Sequence, residues 1–179
     1  MTMDRRHFLL AGLATVALPA CGYSLSGRGS FLPATIKIIG VPLFTNVTSI
    51  YEIERPVTDR VRAELIGRGR WTVKPDSDNV DALLTGQIAA ASLTPSAFNE
   101  QQQATRLVLT LVARLELRDV KANKVIWSAP GMQFSEQYEI STSSSAGDPS
   151  AFLRQDANAL TRLASEFARA VVSAMLEAF

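Results

Sequence analysis

Residues able to do covalent chemistry are scarce in this chain, and the one cysteine among its 179 residues is the most informative of them. Cys21 directly follows the tripeptide Leu18-Pro19-Ala20, after an apolar run over residues 8–18 and two arginines at positions 5 and 6. A positive start followed by a short apolar run is typical of a secretory signal. The pattern resembles a bacterial lipobox, in which the cysteine thiol accepts a diacylglyceryl group and becomes the first residue of the mature protein. We therefore predict that residues 1–20 are a lipoprotein signal peptide and that Cys21 is the lipidation site.

Two details of this signal bear on its destination. The stretch Asp4-Arg5-Arg6-His7-Phe8-Leu9 resembles a twin-arginine export signal, but paired arginines also occur in ordinary Sec signals, so both routes stay open. Gly22 follows the cysteine, where inner-membrane lipoproteins of enteric bacteria often carry aspartate, and this favours the outer membrane.

Each buried methylene contributes ~0.8 kcal/mol and stable attachment needs about two acyl chains, so a triacylated cysteine is a sufficient anchor. A transmembrane helix would need ~20 apolar residues, and this run is shorter.

The composition of the predicted mature chain, residues 21–179, excludes several classes of function. The signal removes two arginines and one aspartate from totals of 18 basic and 17 acidic residues, which leaves 16 of each. A net charge of zero argues against nucleic-acid binding. The only histidine, His7, is lost with the signal, and the only thiol, that of Cys21, is taken by the lipid. Together these losses exclude Ser-His-Asp and Cys-His catalysis, disulfides and Cys/His metal sites. We expect a single periplasmic domain that is not an enzyme and needs no metal or cofactor.

Hydrophobic patterning predicts both strands and a helix in the first half of the mature chain. Apolar side chains recur at steps of four in residues 51–68, which predicts an amphipathic helix. Its stripe consists of Ile53, Val57, Val61 and Leu65, with Ile66 at the margin. The predicted elements are, in order, a strand at 35–41, a polar loop at 43–50, the helix at 51–68, a brief strand at 71–74, a strand from 81 to about 94 and an exposed turn at 95–103.

The clearest pattern in the chain lies between residues 106 and 117. Leucine or alanine occupies every odd position from 107 to 117, and polar or β-branched residues occupy the even ones. A period of two predicts a strand with one face in a core. A return strand should reach about residue 140, with a bulge or bend near Pro130-Gly131. Asp148 is then expected to cap a long amphipathic helix that runs nearly to the last residue.

These elements together predict an α+β fold. The long antiparallel strands leave one apolar face of the sheet to be covered, and two amphipathic helices can cover it. We predict a two-layer sandwich with a mixed, mostly antiparallel sheet of about four to five strands and two helices on one face.

The ordered set of motifs resembles one known family over nearly the whole mature chain. The segments that carry the resemblance are Cys21-Gly22-Tyr23-x-Leu25, Ile39-Gly40-Val41-Pro42-Leu43-Phe44-Thr45-Asn46, a following helix with Ile53-Glu54, Asp81-Ala82-Leu83-Leu84-Thr85-Gly86-Gln87-Ile88 and the long hairpin. They resemble the lipopolysaccharide-assembly lipoproteins, the LptE family. The resemblance implies a non-enzymatic outer-membrane lipoprotein that plugs a large β-barrel, helps to assemble it and assists delivery of lipopolysaccharide to the outer leaflet. It also implies that some members bind lipopolysaccharide directly through basic residues.

A second interpretation stays open at this point. Residues 41–46 also resemble the first strand of lipoproteins that activate peptidoglycan synthases, and of secretion-channel lipoproteins. A synthase activator must cross the periplasm on a long disordered tether. Here only about a dozen residues, with a reach of at most ~3.5 Å each, separate Cys21 from the first clear strand. The domain must therefore lie close to its membrane, which favours the barrel plug.

Five basic residues are candidates for contacting lipopolysaccharide or the protein partner. Arg118, Lys121 and Lys124 cluster at the predicted tip of the hairpin, where they could meet lipid phosphates. The alternative is a solvated hairpin end whose lysines discourage aggregation. Arg106 and Arg114 share the strand face opposite the leucines. They are interface residues if that face meets a barrel wall, and otherwise belong to a solvated sheet face.

Overall fold

Six strands and two helices make up the part of the chain that the computed structural model describes, residues 32–68, 70–139 and 157–179. The elements are β1 (Ile38–Gly40), β2 (Thr45–Asn46), α1 (Glu54–Gly67), β3 (Thr72–Lys74), β4 (Ala82–Phe98), β5 (Ala104–Asp119), β6 (Lys124–Glu139) and α2 (Ala157–Glu177). The predicted signal peptide, Cys21 and the predicted helix cap at Asp148 lie outside the described residues.

The six strands form one mixed sheet in the order β3-β1-β4-β5-β6, with β2 paired to β4 off this path. β1 lies parallel to β3 and β4, and β2 lies parallel to β4, in ladders of two or three residues. The β4–β5 and β5–β6 ladders are antiparallel and join strands of 16 or 17 residues. The predicted α+β, mostly antiparallel architecture is confirmed, with six strands where four to five were expected.

Helix α1 buries the stripe that its sequence predicts. Ile53, Val57, Val61 and Leu65 have no exposed surface, whereas Ile66 is 58% exposed and does not belong to the stripe. Full burial of each such side chain contributes roughly 1.5–3 kcal/mol. Pro56 is the third residue of the helix, where its missing N–H would have had no intrahelical partner in any case.

The loop predicted at residues 43–50 is more ordered than its polar composition suggested. It contains β2, which pairs with Gln87 and Ile88 of β4, and it buries Phe44. The Phe44 ring lies on Gly86, where a Cβ atom would approach ring carbons to 2.8 Å. The Phe44 N–H also donates to the buried hydroxyl of Thr58 at 3.1 Å. The prediction of a plain loop was wrong because these anchors come from residues distant in sequence.

The turn predicted at residues 95–103 is shorter than expected. β4 continues through Pro95 to Phe98, and the Asn99 side chain closes the turn by accepting from the N–H groups of Gln101 and Gln103 at 3.0 and 2.8 Å. Proline is tolerated in strands that have an open edge. Among the described residues, this end of β4 pairs only with β5, and the β4–β5 register shifts directly after Pro95.

The apolar face of the sheet and the two helices enclose one core. The odd positions of β5 from 107 to 117 are all buried, as the alternation predicted. From α2, the predicted residues Leu163, Phe167, Val171 and Met175 are buried, and α2 packs against α1. In the described part of the chain, neither helix is long and apolar enough to span a membrane.

Candidate functional site

The five candidate contact residues do not form one cluster, because β5 spreads them along its length. Arg106 and Arg118 lie near opposite ends of this strand, about 40 Å apart at ~3.4 Å per residue. Arg114 lies between them, and only Arg118, Lys121 and Lys124 remain together beside the β5–β6 turn.

Two of the three basic residues at this turn already have acidic partners. The Arg118 guanidinium donates to Glu116 Oε1 from Nε at 3.2 Å and from Nη2 at 2.8 Å. The Lys121 ammonium donates to Asp81 Oδ1 at 2.6 Å. For the exposed Lys124 the described residues provide no acidic partner. Lys124 is therefore the cation of this group that is most available to a ligand.

Asp81 joins three segments of the chain at the start of β4. Its Oδ2 accepts from the N–H groups of Lys37 and Ile38, both at 3.0 Å, while its Oδ1 accepts from Lys121. The Asp81 N–H donates to the Ile38 carbonyl at 2.9 Å, and its carbonyl accepts from Val120 N–H at 2.9 Å. The hydrogen bond from Lys121, with those from the two backbone amides, lowers the pKa of Asp81 from 3.8 to about 2. The Lys121 side chain thus links the β5–β6 turn to the start of β4, in addition to being a surface cation.

Loss of this carboxylate is expected to change how stability depends on pH. A lowered folded-state pKa means that the ionised Asp81 stabilises the fold above pH ~4, and that this contribution disappears as the pH falls through about 2. Urea unfolding should therefore show Asp81→Asn less stable than the wild type at about pH 6, with the difference shrinking toward about pH 2. A difference that stays constant over this range would show that Asp81 acts through its shape and not its charge.

At the other end of β5, Arg106 faces an open groove of about 560 Å³. Arg106 pairs with Glu139 at 3.1 Å, and the Arg162 guanidinium of α2 lies 5.2 Å from the centre of the Tyr138 ring. The Tyr138 hydroxyl donates to the Ala159 carbonyl at 3.1 Å, which fixes the ring on α2. The sequence places Arg162 only on the polar side of its helix, and nothing local in the sequence connects it with β6.

Arg114 lies beside a second open groove of similar volume, about 560 Å³, in the middle of the sheet. Its Nη1 donates to Gln87 Oε1 at 2.8 Å, and no ion pair of Arg114 is found among the described residues. The hydroxyl-bearing residues Thr45, Thr85 and Ser128 also line this groove. Glu116 also lines the groove, and its carboxylate pairs with Arg118. The arrangement offers hydrogen bonds and one charge of each sign.

Between Arg114 and Arg106 the solvent-facing side of the sheet carries a patch without charge. The ladders place its members in three rows across β4, β5 and β6: Ala90, Val112 and Gln133; Ser92, Thr110 and Ser135; Thr94, Val108 and Gln137. We call these nine residues the uncharged panel. Its β4 and β6 members are exposed and its β5 members are half-buried. The Thr110 and Ser135 hydroxyls share a hydrogen bond at 3.0 Å across its centre.

The described residues also contain no group of three or more side chains able to hold a metal ion. Sequence reasoning identified the strand face that bears the panel, but not the panel itself, because its limits depend on which residues of β4 and β6 lie opposite β5. What this surface offers is a broad area for contact.

Several solved structures are similar to this chain over most of its length, at low sequence identity. The PelC dodecamer from Paraburkholderia phytofirmans is 19% identical, with a TM-score of 0.46 over 78% of this chain and 90% of that chain. A minor lipoprotein from Acinetobacter baumannii is 11% identical, with a TM-score of 0.47 over 82% and 94%. Rare lipoprotein B from Shewanella oneidensis is 12% identical, with a TM-score of 0.41 over 73% and 94%.

No curated protein matches the chain in sequence. The comparison with protein families is decisive, since the LptE model, described as lipopolysaccharide-assembly, matches residues 36–175. This match spans β1 to most of α2 and so includes the whole sheet and the uncharged panel. The chain therefore belongs to the LptE family of lipopolysaccharide assembly.

Proposed function

We propose that this protein is an outer-membrane lipoprotein that plugs a large β-barrel, helps to assemble it and assists its export of lipopolysaccharide to the outer leaflet. In this proposal Cys21 carries the lipid anchor, and residues 21–179 form one domain on the periplasmic face. Membership of the family supports a role in lipopolysaccharide assembly. The observation that supports the barrel contact is the uncharged panel.

The panel has the character of the centre of a protein interface. Charged residues are depleted at such centres, and a polar rim surrounds them. Nine adjacent surface positions without one charge fit this description, with Arg114 beyond one end and the Arg106–Glu139 pair beyond the other.

The surroundings of the panel also suit the inside of a barrel. The interior of outer-membrane barrels is polar, and the panel offers hydroxyls, amides and small apolar side chains to such a wall. Its opposite sheet face is already filled by the core, because Leu107, Leu109 and Leu111 are fully buried. The three long strands thus present a surface that no other described element covers.

Direct lipid contact is a narrower part of this proposal. Arg118, Lys121 and Lys124 remain the candidates for lipid phosphates, and Lys124 is the strongest of them because Lys121 is held by Asp81 and Arg118 by Glu116. Charge reversal at Lys121 would place two carboxylates together at the start of β4. Lys124 is therefore the residue at which lipid binding can be tested without breaking the hydrogen bond between Lys121 and Asp81.

Depletion of the protein tests the proposed function as a whole. We expect the amount of mature barrel in the outer membrane to fall and the cells to become permeable to large antibiotics. Immunoblotting of outer-membrane fractions and antibiotic susceptibility measure the two effects. Normal barrel levels after full depletion would exclude the assembly role.

The panel is tested by Ser92→Lys, with Ser128→Lys as a matched control. Both serines are exposed, and only Ser92 lies in the panel. Ser92→Lys places an unpaired ammonium at the proposed contact, so co-purification of the barrel with the tagged, lipidated protein should be lost while the melting temperature is kept. In the control, the introduced ammonium lies opposite Glu116 and co-purification should persist. Equal retention by both variants would remove the panel from the contact.

A further inference from the structure

Strand β6 forms one edge of the sheet, and its two halves are protected from further pairing in different ways. None of the described residues pairs with its outer side. The unpaired N–H and C=O groups of such an edge are a template for another strand, and proteins block them with lysine, proline, a bulge or a charge that points inward. The half near the β5–β6 turn has the first three of these, since it contains Lys124 and Pro130 and its register with β5 shifts twice.

The other half has a sequence that favours pairing between chains. Residues 132–138 are Met-Gln-Phe-Ser-Glu-Gln-Tyr, without proline, glycine or lysine, and they pair with β5 without a register shift. Short segments with strong β propensity, low charge and no proline are those that stack with copies of themselves. Glu136 is the one charged residue of this segment, so protection by charge within it depends on this side chain.

Glu136 lies on the inward face of the sheet. It is opposite Leu109 of β5, which is fully buried, and its inward neighbours along β6 are Phe134 and Tyr138. Neither an ion pair nor a hydrogen bond of its carboxylate is found in the described part of the chain. The residue is only half-buried, and among the described residues no buried side-chain oxygen lacks a hydrogen-bond partner. The carboxylate of Glu136 therefore reaches water at the open side of β6.

Pairing of another strand with this edge would remove that water. The added strand would place its own inward side chains beside Glu136 and extend the apolar face of the sheet around the carboxylate. An ionised carboxylate that loses water without gaining a partner is strongly unfavourable. The charge is therefore tolerated while β6 is the last strand, and it opposes the addition of a further one.

We propose that Glu136 keeps the edge of β6 unpaired and so prevents copies of this chain from associating through it. Glu139 adds to this protection only at the end of the strand, where it pairs with Arg106 at 3.1 Å. The role of Glu136 is a property of the protein by itself. The proposal therefore goes beyond the contact with a barrel and does not depend on it.

Replacement of Glu136 tests this role in the full chain purified from membranes. Glu136→Val removes the charge and is expected to self-associate at least about tenfold more tightly than the wild type, because burial of an unpaired carboxylate costs more than the ~1.4 kcal/mol that a factor of ten requires. Glu136→Lys keeps a charge at the same place and should associate as weakly as the wild type. Sedimentation velocity measures the association, and circular dichroism checks that each variant is folded.

Two further variants separate the loss of charge from other effects of the valine. Glu136→Gln keeps the shape of the side chain and removes only its charge, so it should also associate more tightly than the wild type, and it replaces the valine variant if that variant does not fold. Glu116→Val is the matched control, since it makes the same change on β5, which has a partner strand on each side. This control should associate no more tightly than the wild type.

A second substitution shows whether the association uses this edge. Gln137→Lys adds a lysine to an exposed position of β6, and lysine on an edge strand also opposes pairing. Combined with Glu136→Val, it should return association to the wild-type level, whereas Ala63→Lys, at an exposed position of α1, should leave the association of the valine variant unchanged. Association of Glu136→Val no tighter than that of the wild type, equal association of the valine and lysine variants at position 136, or equal effects of Gln137→Lys and Ala63→Lys would each overturn the proposal.

Discussion

Leu111→Asp is expected to unfold the protein or to destabilise it by ~4 kcal/mol, because it buries an unpaired carboxylate in an apolar core. Leu111 is fully buried in the middle of β5, between Ala91 of β4 and Phe134 of β6. The neighbouring inward positions of β5, Leu109 and Ala113, offer no partner to the new charge. Glu136 of β6, which lies opposite Leu109 on the same face, is itself acidic and cannot compensate it. Urea unfolding monitored by circular dichroism measures the loss.

Thr110→Asp, one residue away, is the control for this experiment. Thr110 faces the other side of the sheet, where it is half-buried and its hydroxyl shares a hydrogen bond with Ser135 at 3.0 Å. The new carboxylate can reach water there, so the cost should be below about 1 kcal/mol. If both variants unfold equally in the isolated protein, the panel side is also buried and the two-layer description is wrong.

Sequence reasoning found those parts of the fold in which a local hydrophobic periodicity identifies the buried face. The alternation of β5 and the four-residue steps of α1 required no knowledge of what packs against them. Ile66 shows the limit of this reasoning, because it follows the buried Leu65 yet is 58% exposed. Whether a hydrophobic residue at the margin of a stripe is buried depends on the helix or sheet that packs against it. The sequence does not show this partner.

The features that sequence reasoning missed depend on contacts between distant residues. Asp81 binds the N–H groups of Lys37 and Ile38, 44 and 43 positions away, and Lys121, 40 positions away. Strand β2 forms because Phe44 fits on Gly86 and not because Thr45 and Asn46 favour a strand. Each of these contacts exists only in the assembled sheet, so no local sequence pattern predicts it.

The candidate site was predictable by residue type but not by arrangement. The sequence pointed to Arg106, Arg114, Arg118, Lys121 and Lys124 as exposed cations on or beside the hairpin. It could not show that Glu139, Glu116 and Asp81 pair with three of them. It also could not show that the gap between Arg106 and Arg114 becomes an uncharged panel three strands wide. Partner choice across strands is set by register, which the structure supplies.

Gly40→Ala is expected to destabilise the protein by ~3 kcal/mol, since overpacking in a closely packed site forces the backbone to move. Gly40 is the last residue of β1, between Lys74 of β3 and Leu83 of β4. A Cβ atom here would lie 2.5 Å from the Asp76 carbonyl oxygen and 3.1 Å from Val80 Cγ1. The closest obstacle is backbone and cannot rotate away, so residues 75–80 must shift as a unit. Thermal and urea unfolding of the purified variant measure the loss.

Gly67→Ala is the matched control, because it makes the same chemical change where nothing lies within 4 Å of the new atom. Gly67 is the last residue of α1, and alanine is favoured over glycine in a helix by up to about 1 kcal/mol. We therefore expect this variant to be slightly more stable than the wild type, while Gly40→Ala is clearly less stable. Equal effects at the two positions would mean that residues 75–80 do not pass over β1 as closely as the structure places them.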